Sequence, residues 1–312
     1  MQRNSKGMYD VVIVGAGAAG LTSAIYAGRK KLKAVLITGP NVGGETNSTN
    51  DIQNYPGYEG PGPVLMKKFW EQAKKWGVEI REQRVLRISK AKDFLLELDN
   101  NEKIESKTVI LSYGRERRKL NIPGEDKFFG RGLSTCTTCD APLFPNKETA
   151  VIGGGNSAVE GALELARIAK KIYIVHRRDV FRADEVTVEK AKAEGKIEVL
   201  TNHVPIEIKG DKFVKSLIVE HVTTKARKEL PLQGVFSEIG WETHTEMVKG
   251  LVDVNAVGEI IVDAHNRTKT PGLYACGDLT SIPYKQTVIS AGHGAIAALE
   301  AYKFVTGSKG HD

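Results

Sequence analysis

The feature that most limits how this chain can fold is a pattern that occurs twice: an apolar run, a glycine-rich turn, then a small-residue run of helical spacing. The first copy is Tyr9-Asp-Val-Val-Ile-Val14, Gly15-Ala-Gly-Ala-Ala-Gly20, a helix-like run from Leu21 to Lys30, and a second apolar run Ala34-Val-Leu-Ile37. The second copy is Thr149-Ala-Val-Ile152, Gly153-Gly-Gly-Asn-Ser-Ala158, a helix-like run from Val159 to Ala169, and Ile172-Tyr-Ile-Val175. Short, wholly apolar runs suit strands buried on both faces of a parallel sheet. In such a turn the first glycine makes the bend and the second lets a pyrophosphate approach the backbone. The third small residue lets helix and sheet pack closely. Two such turns imply two dinucleotide sites, each at a helix N-terminus whose unpaired N–H groups face the phosphates.

The remaining chain repeats the same design. After each unit's second strand come further β-like stretches broken by turn residues, from Val78 to Glu105 and from Ile197 to Phe236. A helix is expected near Val64 to Trp76, a strand at Thr108–Leu111, a helix from Val186 to Glu194 and a closing helix from Thr287 to Val305, with the apolar stretch Glu259–Asp263 before it. Asn41 to Gly62 is a long, glycine- and proline-rich loop, the kind usually reserved for function. The simplest layout is α/β: two Rossmann-like, three-layer ββα dinucleotide-binding domains, the second inserted in the first. The expected boundaries are 1–116 with 244–312 for the outer domain and 117–243 for the insert, joined by connectors at Arg115–Gly124 and Glu238–Thr245.

Residues after each second strand separate the two sites. His176-Arg-Arg178 and Arg182 follow the second, and guanidinium forks suit an adenosine 2′-phosphate. The first ends Ile37-Thr38-Gly39 and lacks the acid that holds a ribose diol. Simple NAD binding is therefore less apt there, and a flavin dinucleotide has room. The net charge of +7 is spread among 38 acids, with no basic run interleaved with aromatics, so nucleic acid is not an expected partner. A positive field favours phosphorylated cofactors or an acidic protein. No apolar run nears the ~18 residues of a membrane span, and the polar leader Met1 to Gly7 has no signal-peptide core, so a cytoplasmic location is expected. Abundant charge with few glutamines has a thermophilic cast.

In their order along the chain, these motifs resemble the low-molecular-weight thioredoxin reductases of bacteria and archaea. The motifs are Gly15-Ala-Gly-Ala-Ala-Gly20; Gly43-Gly44 with Asn54-Tyr-Pro-Gly57; Cys136-Thr-Thr-Cys-Asp140; Gly153-Gly-Gly-Asn-Ser-Ala158; His176-Arg-Arg178 with Arg182; and Gly277-Asp278 followed by Lys285-Gln286. The resemblance runs from about Tyr9 to Val305. It implies FAD held by Gly15, Gly17, Ala18, Gly20, Gly43, Gly44, Asn54, Gly277, Asp278 and Gln286. It implies NADPH held by Gly153, Gly155, Asn156, Ser157, His176, Arg177, Arg178 and Arg182, together with a redox-active disulfide on the insert and a homodimer. Asp278 is expected on the ribitol chain, and Gln286 beside the flavin ring at the start of the last helix. The chain departs from the family pattern at Glu45-Thr46, Ser112-Tyr113, Thr135 and in a second connector without Pro-Asn. These positions bear on flavin tuning and inter-domain contacts rather than on the fold.

The pair Cys136 and Cys139 has three readings. A structural zinc needs about four ligands, whereas Cys276 is the only other cysteine and no histidine pair has ligand spacing, so no metal is expected. A staple closing so small a loop adds little stability. Redox exchange fits best. By resemblance Cys139 faces the flavin, Cys136 attacks the partner's disulfide, and Asp140 exchanges the proton. Cys276 is read as a buried small apolar residue rather than a third redox thiol, and His293 as a satisfied structural histidine rather than one near the flavin. The expected activity is NADPH-dependent reduction of thioredoxin or a glutaredoxin-like protein, with the connectors as hinges that alternate nucleotide and disulfide at the flavin. Rival readings are an NAD(P)H oxidase or flavin reductase, the reductase partner of a peroxidase, and a flavin-binding redox sensor.

Overall fold

The computed structural model describes residues 7–49 and 52–308, which leaves all but Gly7 of the polar leader outside the described residues. The chain forms two compact units, Met1–Glu116 with Glu242–Asp312, and Arg117–Trp241. The second unit is therefore inserted in the first. At the crossing points the short strands Glu116–Arg117 and Trp241–Glu242 pair as a two-stranded ribbon.

In the first unit five parallel strands lie in the spatial order Glu79–Arg81, Ala34–Ile37, Tyr9–Val14, Lys103–Leu111 and Leu273–Ala275. The long strand Lys103–Leu111 changes partner midway. Its first half pairs antiparallel with Phe94–Leu98, which in turn pairs with Val85–Lys90. Its second half pairs in parallel with Leu273–Ala275, Val109 opposite Leu273. Val11, Val12 and Ile13 are fully buried, as wholly apolar strands require, and each such side chain contributes roughly 1.5–3 kcal/mol on leaving water. One face packs on the helices Ala18–Arg29, Gly62–Lys75 and Thr287–Thr306. The other packs under the antiparallel strands and the segment around Val248. The first and last of these helices cross so closely that a Cβ at Gly294 would collide with the Ala19 carbonyl.

The second unit repeats the plan. Its parallel order is Ile197–Thr201, Lys171–His176, Glu148–Ile152, Gly234–Ser237 and Leu133–Ser134. Helices Asn156–Ala166 and Glu185–Ala193 cover one face. The antiparallel strands His203–Gly210, Val214–His221 and Arg227–Pro231 cover the other. Each unit is thus a helix layer, a parallel sheet and a β layer. The two differ in which end of the chain supplies the fifth strand. Leu273–Ala275 comes last in the first unit, whereas Leu133–Ser134 comes first in the second.

Two local expectations change, and one unassigned segment takes its form. Both cradle helices begin three residues earlier than the apolar spacing suggests, at Ala18 and Asn156. Their first turns hold small or polar residues that carry no periodic signal. Glu259–Asp263 is not a strand: Ile260 makes only isolated bridges, to Val254 and Thr280. There the Asn255 side chain bonds the backbone N–H groups of Val257 and Glu259, so a turn consumes donors that a ladder would need. The long loop also carries structure of its own, a 3₁₀ turn Gly44–Ser48 and a small hairpin of Ile52–Tyr55 with Tyr58–Gly60.

Candidate active site

In the first unit the chain turns sharply at Gly15, where φ is 103°. An added Cβ there would collide with the backbone of Ser112 and Tyr113. Gly17 caps the following helix with no side-chain cap and no acid in the first turn. The first intrahelical bond runs from the Leu21 N–H to the Gly17 carbonyl, 2.9 Å, so the N–H groups of Ala18, Ala19 and Gly20 lie ahead of it. A Cβ at Gly17 would have only the Gly44 Cα, 3.9 Å away, within reach. This is an open cradle at a positive helix end, and it fits a pyrophosphate.

Of the other first-unit residues singled out from sequence, Gly43, Gly44 and Gly277 lie against that cradle. The Gly43 N–H donates to the Ala16 carbonyl at 2.8 Å, which lays the Gly43-Gly44 turn against Gly17. Gly277 sits beside Ala19, where a Cβ would meet the Ala19 Cβ at 3.1 Å. The next residue, Asp278, is half-buried and accepts from the Ser290 hydroxyl at 2.8 Å. The Asn54 Nδ2 donates to Gln286 Oε1 at 3.1 Å, and Thr46 and Thr287 join hydroxyls at 2.8 Å where the last helix starts. Two of the departures from the family pattern have local roles. The Ser112 hydroxyl donates to the carbonyls of Val14 and Gly15, at 2.9 and 3.0 Å, and so holds the turn. The hydroxyl of Tyr113 is buried without a hydrogen-bond partner among the described residues, and burial, then the charge of Glu246, pushes its pKa above the ordinary tyrosine value.

The second unit holds the sulfurs. Cys136 and Cys139 form a disulfide with their Cα atoms 5.3 Å apart. Cys136 caps a single helical turn, Thr137–Asp140, that contains Cys139, and its Sγ accepts from the Cys139 N–H at 3.2 Å. The Ser134 hydroxyl accepts from the Cys136 N–H at 3.0 Å. Asp140 follows at once, and burial raises its pKa, partly offset by a hydrogen bond with Ser134. The turn is packed on the helix Asn156–Ala166: a Cβ at Gly161 would come within 2.7 Å of Thr137 Oγ1, and Thr138 bonds Glu164 at 3.1 Å. That same helix starts at the second glycine turn. Its cap is Gly155, with no side-chain cap, no acid in the first turn, and nothing within 4 Å of an added Cβ. Disulfide and second cradle therefore share one helix.

The candidate nucleotide residues divide into two groups. Arg177, Arg178 and Arg182 are exposed beside the strand Lys171–His176, and the Arg182 N–H bonds the Gly154 carbonyl at 2.8 Å, tying the arginine loop to the turn. His176 instead points inward. Its ring lies against Gly154, stacks on Phe181 with centroids 4.9 Å apart, and has Nε2 3.1 Å from the Val180 carbonyl. Burial, with the neighbouring arginines, holds its pKa below the usual value, so it is a neutral packing residue at neutral pH. The Asn156 side chain accepts from the Asp184 N–H at 2.8 Å, while Ser157 is exposed at the helix start. Glu238 is a residue that sequence reasoning missed: its carboxylate accepts both the N–H and the hydroxyl of Thr137, at 3.2 and 2.9 Å. No local motif marks it, because its partner lies 101 positions away.

Cys276 is fully buried, and burial pushes its thiol up to about 12, so it is protonated and inert. His293 departs from the satisfied structural reading: its Nδ1 is buried with no hydrogen-bond partner among the described residues, and burial, with Lys285 adding to the effect, holds its pKa below the usual value. Among the described residues, no group of three or more His, Cys, Asp or Glu side chains could hold a metal, and no helix is long and apolar enough to cross a membrane.

The pyridine nucleotide-disulphide oxidoreductase family model matches residues 9–298. A thioredoxin reductase of Helicobacter pylori (strain J99) is 38% identical over 308 residues, covering 96% of this chain and 99% of that protein. A protein named NADH dehydrogenase from Bacillus subtilis (strain 168) is 39% identical over 299 residues, 95% of this chain; this chain spans 58% of that protein's length. The crystal structure of thioredoxin reductase from Streptococcus pyogenes MGAS5005 superposes with a TM-score of 0.93 at 37% identity, over 97% of this chain and all of that one.

Proposed function

The chain belongs to the pyridine nucleotide-disulphide oxidoreductase family, and on that premise we propose that it is a thioredoxin-disulfide reductase using FAD and NADPH. The observation that carries this reading is the Cys136–Cys139 disulfide packed on the helix that begins at the second glycine cradle. FAD would be held by Gly15, Gly17, Ala18, Gly20, Gly43, Gly44, Asn54, Gly277, Asp278 and Gln286, in the outer domain of 1–116 and 244–312. NADPH would be held in the insert, 117–243, by Gly153, Gly155, Asn156 and Ser157, with Arg177, Arg178 and Arg182 on the 2′-phosphate. His176 shapes the turn beneath them. Bound FAD would supply a two-electron relay from NADPH to the disulfide.

The chain's own groups do the rest. Opening the Cys136–Cys139 bond takes up two electrons and two protons. Asp140 follows Cys139 directly, and burial, which raises its carboxyl, favours its protonated form and suits it to exchange a proton with the pair. The Cys136 thiolate attacks one sulfur of oxidised thioredoxin and expels the other as a thiolate. Cys139 then attacks Cys136 in the mixed disulfide, which reforms the internal bond and releases reduced thioredoxin. The working unit is a homodimer, and a glutaredoxin-like protein is the alternative partner.

The test is anaerobic addition of NADPH to the yellow protein, with and without thioredoxin. Cys136→Ser and Cys139→Ser should still bleach with NADPH yet reduce no thioredoxin. Thioredoxin reduction by either variant at the wild-type rate would refute the assignment. The Bacillus subtilis relative, named NADH dehydrogenase, favours a second reading as an NAD(P)H oxidase. That reading predicts oxygen consumption that exceeds thioredoxin reduction and survives loss of both cysteines.

A further inference from the structure

Glu238 stands just past the strand Gly234–Ser237, and its backbone and side chain serve two different neighbours. Its N–H donates to the Ile152 carbonyl at 2.8 Å, at the end of the strand that feeds the second glycine turn. Its own carbonyl lies 2.5 Å from where a Cβ on Gly153 would stand. The backbone is therefore fixed to the turn itself. The side chain reaches the other way and accepts both donors of Thr137, the backbone N–H at 3.2 Å and the hydroxyl at 2.9 Å. Thr137 is buried, and it is pinned from its far side by Gly161. The carboxylate thus sits one residue from Cys136, joined to its turn by two hydrogen bonds.

We propose that Glu238 is a positioning residue that sets the reducing power of the Cys136–Cys139 pair, by holding a fixed negative charge against the turn that carries it. The inference rests on the reading of that pair as redox-active. A thiolate next to a carboxylate is disfavoured, because like charges penalise the ionised form. Stabilising the reduced form of a dithiol makes its disulfide a stronger oxidant, so disfavouring that form makes the dithiol a stronger reductant. The two donors of Thr137 add to the effect. Without the carboxylate they would be available to the sulfur of Cys136, which already accepts the Cys139 N–H.

Glu238→Gln separates charge from architecture, since its amide oxygen still accepts from Thr137 while the charge is gone. The experiment equilibrates the purified holoprotein in glutathione buffers of graded ratio, traps thiols with iodoacetamide, and counts them by mass. A parallel arm follows the pH dependence of alkylation of the reduced protein. In Glu238→Gln the exchange equilibrium should shift about tenfold toward the dithiol, about 30 mV less negative, and the first thiol should alkylate at lower pH than in wild type. Glu238→Asp, which keeps the charge, should stay near the wild-type values for both. Wild-type behaviour of Glu238→Gln, or an equal shift in Glu238→Asp and Glu238→Gln, overturns the proposal. Failure of the wild-type pair to exchange with glutathione at all would instead remove the redox reading beneath it.

Discussion

Replacing Gly17 by alanine tests whether the first glycine turn is a ligand cradle or only a structural bend. The structure separates the two. Gly17 has φ −78° and ψ −170°, extended backbone that alanine adopts freely. The new methyl would meet only the Gly44 Cα, at 3.9 Å, an ordinary contact. Alanine is a poorer N-cap than glycine, a cost of about 0.5 kcal/mol. Reduced freedom of the unfolded chain returns about 0.4–1 kcal/mol. The net effect on the apoprotein is thus within about 0.5 kcal/mol, a melting shift of no more than about 2 °C for a chain of this size. Ligand binding should respond very differently, because the methyl stands where a phosphate must approach the N–H groups of Ala18 and Ala19. Losing one hydrogen bond to a charged oxygen costs about 1.5–3 kcal/mol, or about 10- to 150-fold in affinity. The assay is flavin retention, read by fluorescence of released FAD and by titration of the apoprotein, alongside its melting curve. Gly20→Ala is the contrast: its Cβ would strike the Gly15 carbonyl and lie 2.6 Å from Ser112 Oγ, so both stability and retention should fall. Wild-type flavin affinity in Gly17→Ala would refute the cradle.

Three further outcomes are expected. Asp140 has a carboxyl raised by burial, so any stability it adds is present at low pH and is lost as pH rises through its folded pKa. Asp140→Asn should therefore melt higher than wild type at neutral pH, with the gap closing below the usual carboxylate range, while thioredoxin reduction slows. Arg177→Ala with Arg178→Ala removes two exposed guanidinium groups beside the second cradle and should raise KM for NADPH about 10- to 100-fold with little change for NADH; equal effects on both would exclude a 2′-phosphate role. Gly161→Ala drives a methyl to 2.7 Å from Thr137 Oγ1 and should cost about 1–3 kcal/mol by overpacking, measured by denaturant midpoint, with a parallel loss of disulfide exchange.

The parts legible in sequence were those written in consecutive residues. Val11 to Val14 and Ala150 to Ile152 announce buried strands because every side chain must be apolar on both faces, and the turns at Gly15 and Gly153 announce their bends by composition. Asp278 and Gln286 were reached through resemblance, and their hydrogen bonds to Ser290 and Asn54 were not readable, since those bonds join residues far apart in the chain. Glu238 was hidden for the same reason. His176 read as one of a basic cluster, yet its ring turns inward because the glycine at 154 leaves a flat surface for it. The turn before Ile260 was not readable either, because the Asn255 side chain takes the backbone donors of Val257 and Glu259.

The edge of Lys103–Leu111 that receives Leu273–Ala275 has a consequence for the growing chain. As the protein leaves the ribosome, Val109 to Leu111 emerge more than 160 residues before the strand that pairs with them. The inserted unit, whose five parallel strands all lie between Arg117 and Trp241, can assemble in that interval, while the outer unit waits with one bare apolar edge. Arrested chains ending before Leu273 should show this in limited proteolysis, with the insert protected and the outer unit cut; uniform protection of both would contradict that sequence of events.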